Sequence, residues 1–186
     1  MSKQFHISIE DVAGLLPEKL AWMLLRDMGK ALAGLLEPHG AVNPSHILWD
    51  ETAFLLADSE SAGEKDRRFL APESTPAFSG DVWSLGASVF YLVMGTPVFN
   101  GLGGRAQRAE SVLPYMRKGM PELSRLIMRC LSFTPEDRPS AQELSSAASQ
   151  RLEALSIPSR PLKAKKTVNA QITSLGFWPE TMTDAL

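Results

Sequence analysis

The chain has one cysteine, Cys130, among 186 residues. An intramolecular disulfide is therefore excluded, and the usage fits a reducing compartment, which points to the cytoplasm. Strong charge of either sign is also lacking. The formal net charge of −2 gives no electrostatic basis for binding nucleic acid or an anionic membrane surface. Long apolar runs are missing as well. The longest, residues 82–94, falls short of the roughly 20 residues that a membrane span needs and is interrupted by Ser and Gly. The opening "MSKQFHISIEDV" has no apolar run after Lys3, so no signal peptide is expected. Glycine clusters in one place only, "GLGG" at residues 101–104, and no repeat or low-complexity block occurs. What remains is a chain long enough for one domain with a real core, plus a tail.

Hydrophobic spacing divides it. Ser8 with Asp11 three residues on suggests a helix start before "IEDVAGLL". Pro17 breaks that run and opens a second helix, in which Leu20, Met23, Leu24, Met28, Ala31, Leu32 and Leu35 recur at helical spacing. Pro38 and Gly40 are expected to end it. "HILW" and "AFLLA", separated by Asp50, Glu51 and Thr52, predict a short β-hairpin. Residues 58–68 are polar and aperiodic, a loop. "SGDVWSLGASVFYLVMG" is apolar on nearly every side, which predicts a buried helix with others around it. "PELSRLIMRCLSF" places Leu123, Leu126, Ile127, Cys130 and Leu131 on one stripe. Ser140 and Glu143 form a capping box for a last helix over residues 141–155. Two segments follow: a domain over residues 1–155, and a proline-containing linker and tail over residues 156–186.

Five motifs then stand in one order. "HGAVNPSHIL" at residues 39–48 has the shape of H-x-D-[LIV]-K-P-x-N-[IV]-L. "LLADSE" places Asp58 where a D-F-G would begin; "FLAPES" carries A-P-E as Ala71, Pro72 and Glu73. "DVWSLGASVFYLVMGTPVF" starts at Asp81, and "CLSFTPEDRPSAQEL" surrounds Arg138. In this order and spacing the chain resembles the C-terminal lobe of a protein kinase, over roughly residues 9–155. The resemblance implies a mainly α fold, with helices around one buried central helix and one short hairpin. It also implies structural roles. The Asp matching Asp81 accepts hydrogen bonds from backbone amides of the catalytic loop, and the Glu matching Glu73 pairs with the Arg matching Arg138.

The chemical positions of that family are not kept. Phosphoryl transfer needs a positioned Asp near the substrate hydroxyl, an Asn and an Asp on Mg²⁺, and a Lys with a Gly-rich loop on the phosphates. Ala41 stands at the catalytic Asp, Asn43 at the catalytic-loop Lys and His46 at the metal-binding Asn. Alanine cannot take a proton, asparagine carries no charge, and imidazole is a poor ligand for Mg²⁺. No Gly-rich strand pair or V-A-I-K stands ahead of the first helices, so an N-lobe is not expected in this sequence, nor is ATP binding or any other cofactor or metal. A C-lobe alone is similar to the kinase non-catalytic C-lobe (KIND) domain, a peptide-binding module that shares the "HISIEDVAGLLPEKLAWMLL" type of opening, or to a truncated pseudokinase. The implied function is a non-catalytic module that binds a partner protein or peptide. The alternative is a split or atypical kinase-fold enzyme, completed in trans or using Asp58.

Each candidate residue also has a plain structural role. His39 and His46 are weighed as loop residues holding the turn, since no cysteine or carboxylate sits at zinc-like spacing. Asp58 alone would hold Mg²⁺ weakly and is weighed as a vestige or cap. Asp58, Glu60, Glu64 and Asp66 form either a recognition surface for a basic peptide or a solvated loop. Cys130, on an apolar stripe, is expected in the core. With no N-lobe, Trp22, Trp49, Phe54 and Leu56 would leave apolar surface in need of cover. The tail, with Phe177 and Trp178, is expected either to pack back over it or to dock on a partner.

Overall fold

The structure is a computed structural model, described here over residues 7–58, 66–73, 75–113, 115–116 and 119–156. It is mainly helical, with a small antiparallel sheet. The order is β1 (Ile7–Ser8), α1 (Glu18–Ala33), β2 (Ile47–Trp49), β3 (Phe54–Leu56), α2 (Phe78–Met94), α3 (Pro121–Cys130) and α4 (Ala141–Ser156), with short 3-10 turns between. Residues 157–186 lie outside the described residues, and with them the expected tail packing, Phe177 and Trp178.

The expected buried helix is α2. Every residue from Gly80 to Phe90 is buried, as are Leu92 and Val93. Even its polar residues Asp81, Ser84 and Ser88 are buried, with α1 packed on one side and α3 on another. Gly95, in the left-handed region at φ 78°, closes the helix by returning its N–H to Tyr91 O. Trp83 is fully buried, and its indole N–H donates to Gln107 Oε1 at 2.9 Å. Gln107 in turn donates to Leu131 O, so both polar groups travel into the core as a satisfied set.

The hairpin forms where predicted, with Leu48 opposite Leu55 and Trp49 opposite Phe54. Asp50 Oδ1 holds the turn by accepting from Thr52 N and Ala53 N. The expected start of a helix at Ser8 is not observed. Ile7 and Ser8 pair with β2 instead, and only a single 3-10 turn follows at Glu10–Val12. Gly14, at φ 76°, then turns the chain so that Gly14 N and Leu16 N reach the last carbonyls of α2, Tyr91 O and Leu92 O. Backbone pairing with two other elements outweighs a local helix signal too short to sustain itself.

α1 also stops earlier than its spacing suggests. It ends at Ala33, with Gly34 as the cap, and Leu35 and Leu36 are exposed. Glycine is the poorest ordinary helix former, and no core faces the two leucines to offset it. Trp22, Trp49 and Phe54 are 3%, 2% and 3% exposed, so the bare apolar surface expected on this face is not there. The hairpin lies down on α1: Phe54 N donates to Asp27 Oδ2 at 3.1 Å, and the Trp49 and Phe54 rings meet tilted at 50°, their centroids 4.7 Å apart.

α4 begins with the expected capping box. Ser140 N donates to Glu143 Oε2 at 2.7 Å, and Glu143 N donates to Ser140 Oγ at 3.2 Å. The first of these bonds holds the Glu143 carboxyl below the usual carboxylate range. α4 then packs along α1, the most extensive helix pair in the fold. The crossing is close at Gly29, where a Cβ would stand 2.8 Å from Ala141 O and 2.9 Å from Ser145 N. In an open helix Gly→Ala gains about 0.8–1 kcal/mol. Here the methyl has to push two helices apart, which costs about 1–3 kcal/mol. Gly29→Ala is expected to lower the urea midpoint at unchanged slope; a higher midpoint would mean the two helices are not in this contact.

Candidate functional site

Two polar anchors fix the surroundings of the loop at residues 39–48. Arg138 follows the 3-10 turn Pro135–Asp137, between α3 and α4, and its side chain is wholly buried. Nη1 donates to Glu73 Oε1 at 2.6 Å and to Ser79 O at 2.9 Å. Nη2 donates to Glu73 Oε2 at 2.9 Å and to Phe133 O at 3.2 Å, and Nε donates to Ser132 O at 2.9 Å. A guanidinium has five N–H donors, and all five are used. One side chain thereby joins the segment at Glu73, the first turn of α2 and the α3–α4 connection.

Asp81 is the second anchor. It lies in the first turn of α2, 2% exposed. Oδ2 accepts from His39 N and Oδ1 from Gly40 N, both at 2.7 Å. Gly40 has φ 68°, a conformation that glycine adopts without strain and that lets two consecutive N–H groups converge on one anion. The positive end of the α2 dipole favours the carboxylate as well.

Held from outside, the loop is also folded in on itself. Ala41 and Asn43 are 6% and 3% exposed, and His46 is 9% exposed. Asn43 Oδ1 accepts from Ser45 N at 2.9 Å and from Ser45 Oγ at 2.7 Å, while Asn43 Nδ2 donates to Ala41 O at 3.1 Å. His46 Nδ1 lies 2.5 Å from Ala41 O and 3.1 Å from Asn43 Nδ2. Both neighbours cannot be satisfied by one nitrogen. The shorter contact, to an oxygen that can only accept, puts the proton on Nδ1 and makes the approach to Asn43 a proximity. His39 Nε2 bonds Ala57 O at 2.8 Å, tying the loop to the end of β3. Ala41 and Asn43 carry neither a charge nor a proton-accepting base, and His46 turns its Nδ1 inward onto Ala41 O.

The remaining candidates are dispersed. Asp58 is exposed just past β3, and Glu60 and Glu64 lie outside the described residues. Asp66 accepts from Arg68 at 2.6 Å, and Arg68 also reaches Glu10 at 3.2 Å. Burial would push the Asp66 carboxyl up, but the hydrogen bonds and charge of Arg68 hold it below its ordinary value. Its charge is thus met within the chain rather than offered to a basic peptide. Cys130 is fully buried, and burial pushes its thiol up to about 12, so it is core and not a nucleophile. Among the described residues no group of three or more His, Cys, Asp or Glu is placed to hold a metal ion, and no helix is long and apolar enough to cross a membrane.

One feature at this face had no signal beyond its glycines. Gly103 and Gly104 lie against the backbone of residues 67–72, Gly104 N donating to Leu70 O at 2.8 Å. A Cβ at Gly104 would overlap Pro72 N. The "GLGG" cluster is therefore a point of backbone-on-backbone packing, and it sets Arg105 beside Pro72 and Glu73. No family model matches the chain, and no curated protein matches it.

Arg138→Lys is expected to destabilise the fold by about 2–4 kcal/mol in urea denaturation. It keeps the charge, but three donors on a flexible stem cannot replace a five-donor fork and leave buried acceptors unmet. A change under about 0.5 kcal/mol would mean that the fork carries no weight.

Proposed function

We propose that this chain is a catalytically silent kinase-fold module of the C-lobe type, akin to a KIND domain or a truncated pseudokinase, that binds a partner protein or peptide. The observation that carries this reading is the contrast within one small region. The groups that brace the loop, Asp81 and the Glu73–Arg138 pair, are present and engaged. The positions from which the family's chemistry would operate hold Ala41, Asn43 and His46, all buried and bonded inward. A loop braced in this way is a rigid shape, and rigid, preorganised surface lowers the cost of binding. Transfer of a phosphoryl group would need a positioned carboxylate and metal-holding oxygens, and the loop supplies neither.

Isothermal titration of the full chain with Mg-ATP tests the reading. No heat of binding is expected up to millimolar nucleotide. Binding in the micromolar range would overturn it in favour of a split or atypical kinase-fold enzyme in which Asp58 meets the metal.

A further inference from the structure

Two depressions adjoin on the face below the loop. One, of about 260 Å³, lies between Leu70–Glu73, Thr75–Ala77 and the start of α2, with Gly40 at its end. The other, of about 380 Å³, lies between Pro72, Arg105 and Arg108 on one side and Phe133 and Pro135 on the other. Pro72, Glu73 and Arg105 border both, so the two form one bent trough. Each arm of the trough is small, which suits a side chain or two of an extended peptide.

The charge of the trough follows from what is already engaged. Glu73 has both oxygens on Arg138, and Asp81 has both on loop amides. Of the two carboxylates on its walls, Glu73 is thus balanced by the Arg138 charge, and Asp81, 2% exposed, is turned onto the loop amides rather than into the trough. Arg105 and Arg108 are both exposed, and neither pairs with a carboxylate among the described residues. Arg108 is pinned at the rim by bonds from Nη1 to Arg105 O and Gln107 O, with no counter-ion to its charge among the described residues. Beside these cations stand apolar walls. Phe133 is 40% exposed, and Pro72 and Pro135 offer rigid carbon surface with no N–H to satisfy.

We infer that this trough is the module's recognition site and takes an extended acidic peptide of a partner protein, an aromatic or aliphatic side chain lying against Phe133 and Pro135 and a neighbouring carboxylate meeting Arg105 and Arg108. The inference rests on the reading of the chain as a binding module and names its ligand class. A positive rim over an apolar floor steers an anionic segment in and holds it by desolvated contact. Binding of this kind weakens with added salt, because the two arginines are exposed.

A library of random peptides displayed on phage, panned on the full chain, tests it. The enriched peptides are then synthesised and titrated against the full chain and its variants. Enrichment of Asp or Glu next to an aromatic or branched aliphatic residue is expected, with affinity falling at least tenfold in Arg105→Glu/Arg108→Glu and in Phe133→Ala, and unchanged in Arg125→Glu on α3. Melting curves of the variants report whether they remain folded; both arginines are exposed, so the first variant is expected to melt with the parent. Enriched peptides that lack acid, or that bind the double variant as well as the parent, overturn the trough while leaving a binding module in place. No enrichment at all overturns the trough too, and the Mg-ATP titration then decides whether the module reading falls with it.

Discussion

The side chain of Arg138 organises more of this molecule than any other single group. Burying a guanidinium is expensive, and it is tolerable only when the charge is paired and every donor is met. Here a bidentate carboxylate and three backbone carbonyls meet all five donors. Removing one partner of such a pair costs on the order of 3–5 kcal/mol, because the other is left buried and charged. That is a large part of the stability of an ordinary domain. Much of the surrounding geometry depends on the pair: Glu73 sets the chain that borders the trough, Ser79 sets the entry to α2, and Ser132 and Phe133 set the turn from α3 towards α4.

Asp81 carries the same logic one turn further into α2. It converts the start of a buried helix into a clamp on the backbone at His39 and Gly40. Asp81 holds the start of the loop, and the loop's own side chains complete the closure, Asn43 bonding Ser45 and Ala41 O and His46 bonding Ala41 O. The loop's order is thus supported from below by the helix and from within by Asn43 and His46. Function on this account belongs to shape and rim charge, with no reacting group required. The proposed peptide site uses the same frame, since the trough is walled by the segment that Glu73 anchors.

Much of this was legible in the residues. α2 was visible as a helix apolar all round, the hairpin as two short apolar runs about Asp50, and the start of α4 as Ser140 with Glu143. These are local signals of period, turn chemistry and capping, and nothing distant opposes them. The misplaced elements were those decided by remote partners. Ile7 and Ser8 became a strand because β2 offered an edge, and α1 ended at Ala33 because no core lay beyond it. Trp22, Trp49 and Phe54 were found buried because the hairpin folds onto α1, a tertiary fact that no spacing encodes. The identities at Ala41, Asn43 and His46 showed that no carboxylate or ammonium group stands at those positions. They did not announce that Asn43 and His46 would turn inward, which depends on Ala41 O being within reach of both. Gln107 and the close approach of Gly104 to Pro72 had no readable sign beyond an unusual run of glycine.

A double-mutant cycle on Glu73 and Arg138 tests most directly whether this frame is the source of the fold's order. Wild type, Glu73→Gln, Arg138→Met and the double variant would be unfolded in urea, with the slope checked for each. The interaction energy is the departure of the double variant from the sum of the two singles. A coupling of about 2–3 kcal/mol, with the double variant more stable than the sum of the singles implies, is the result this account predicts. Additive effects, with coupling near zero, would contradict it.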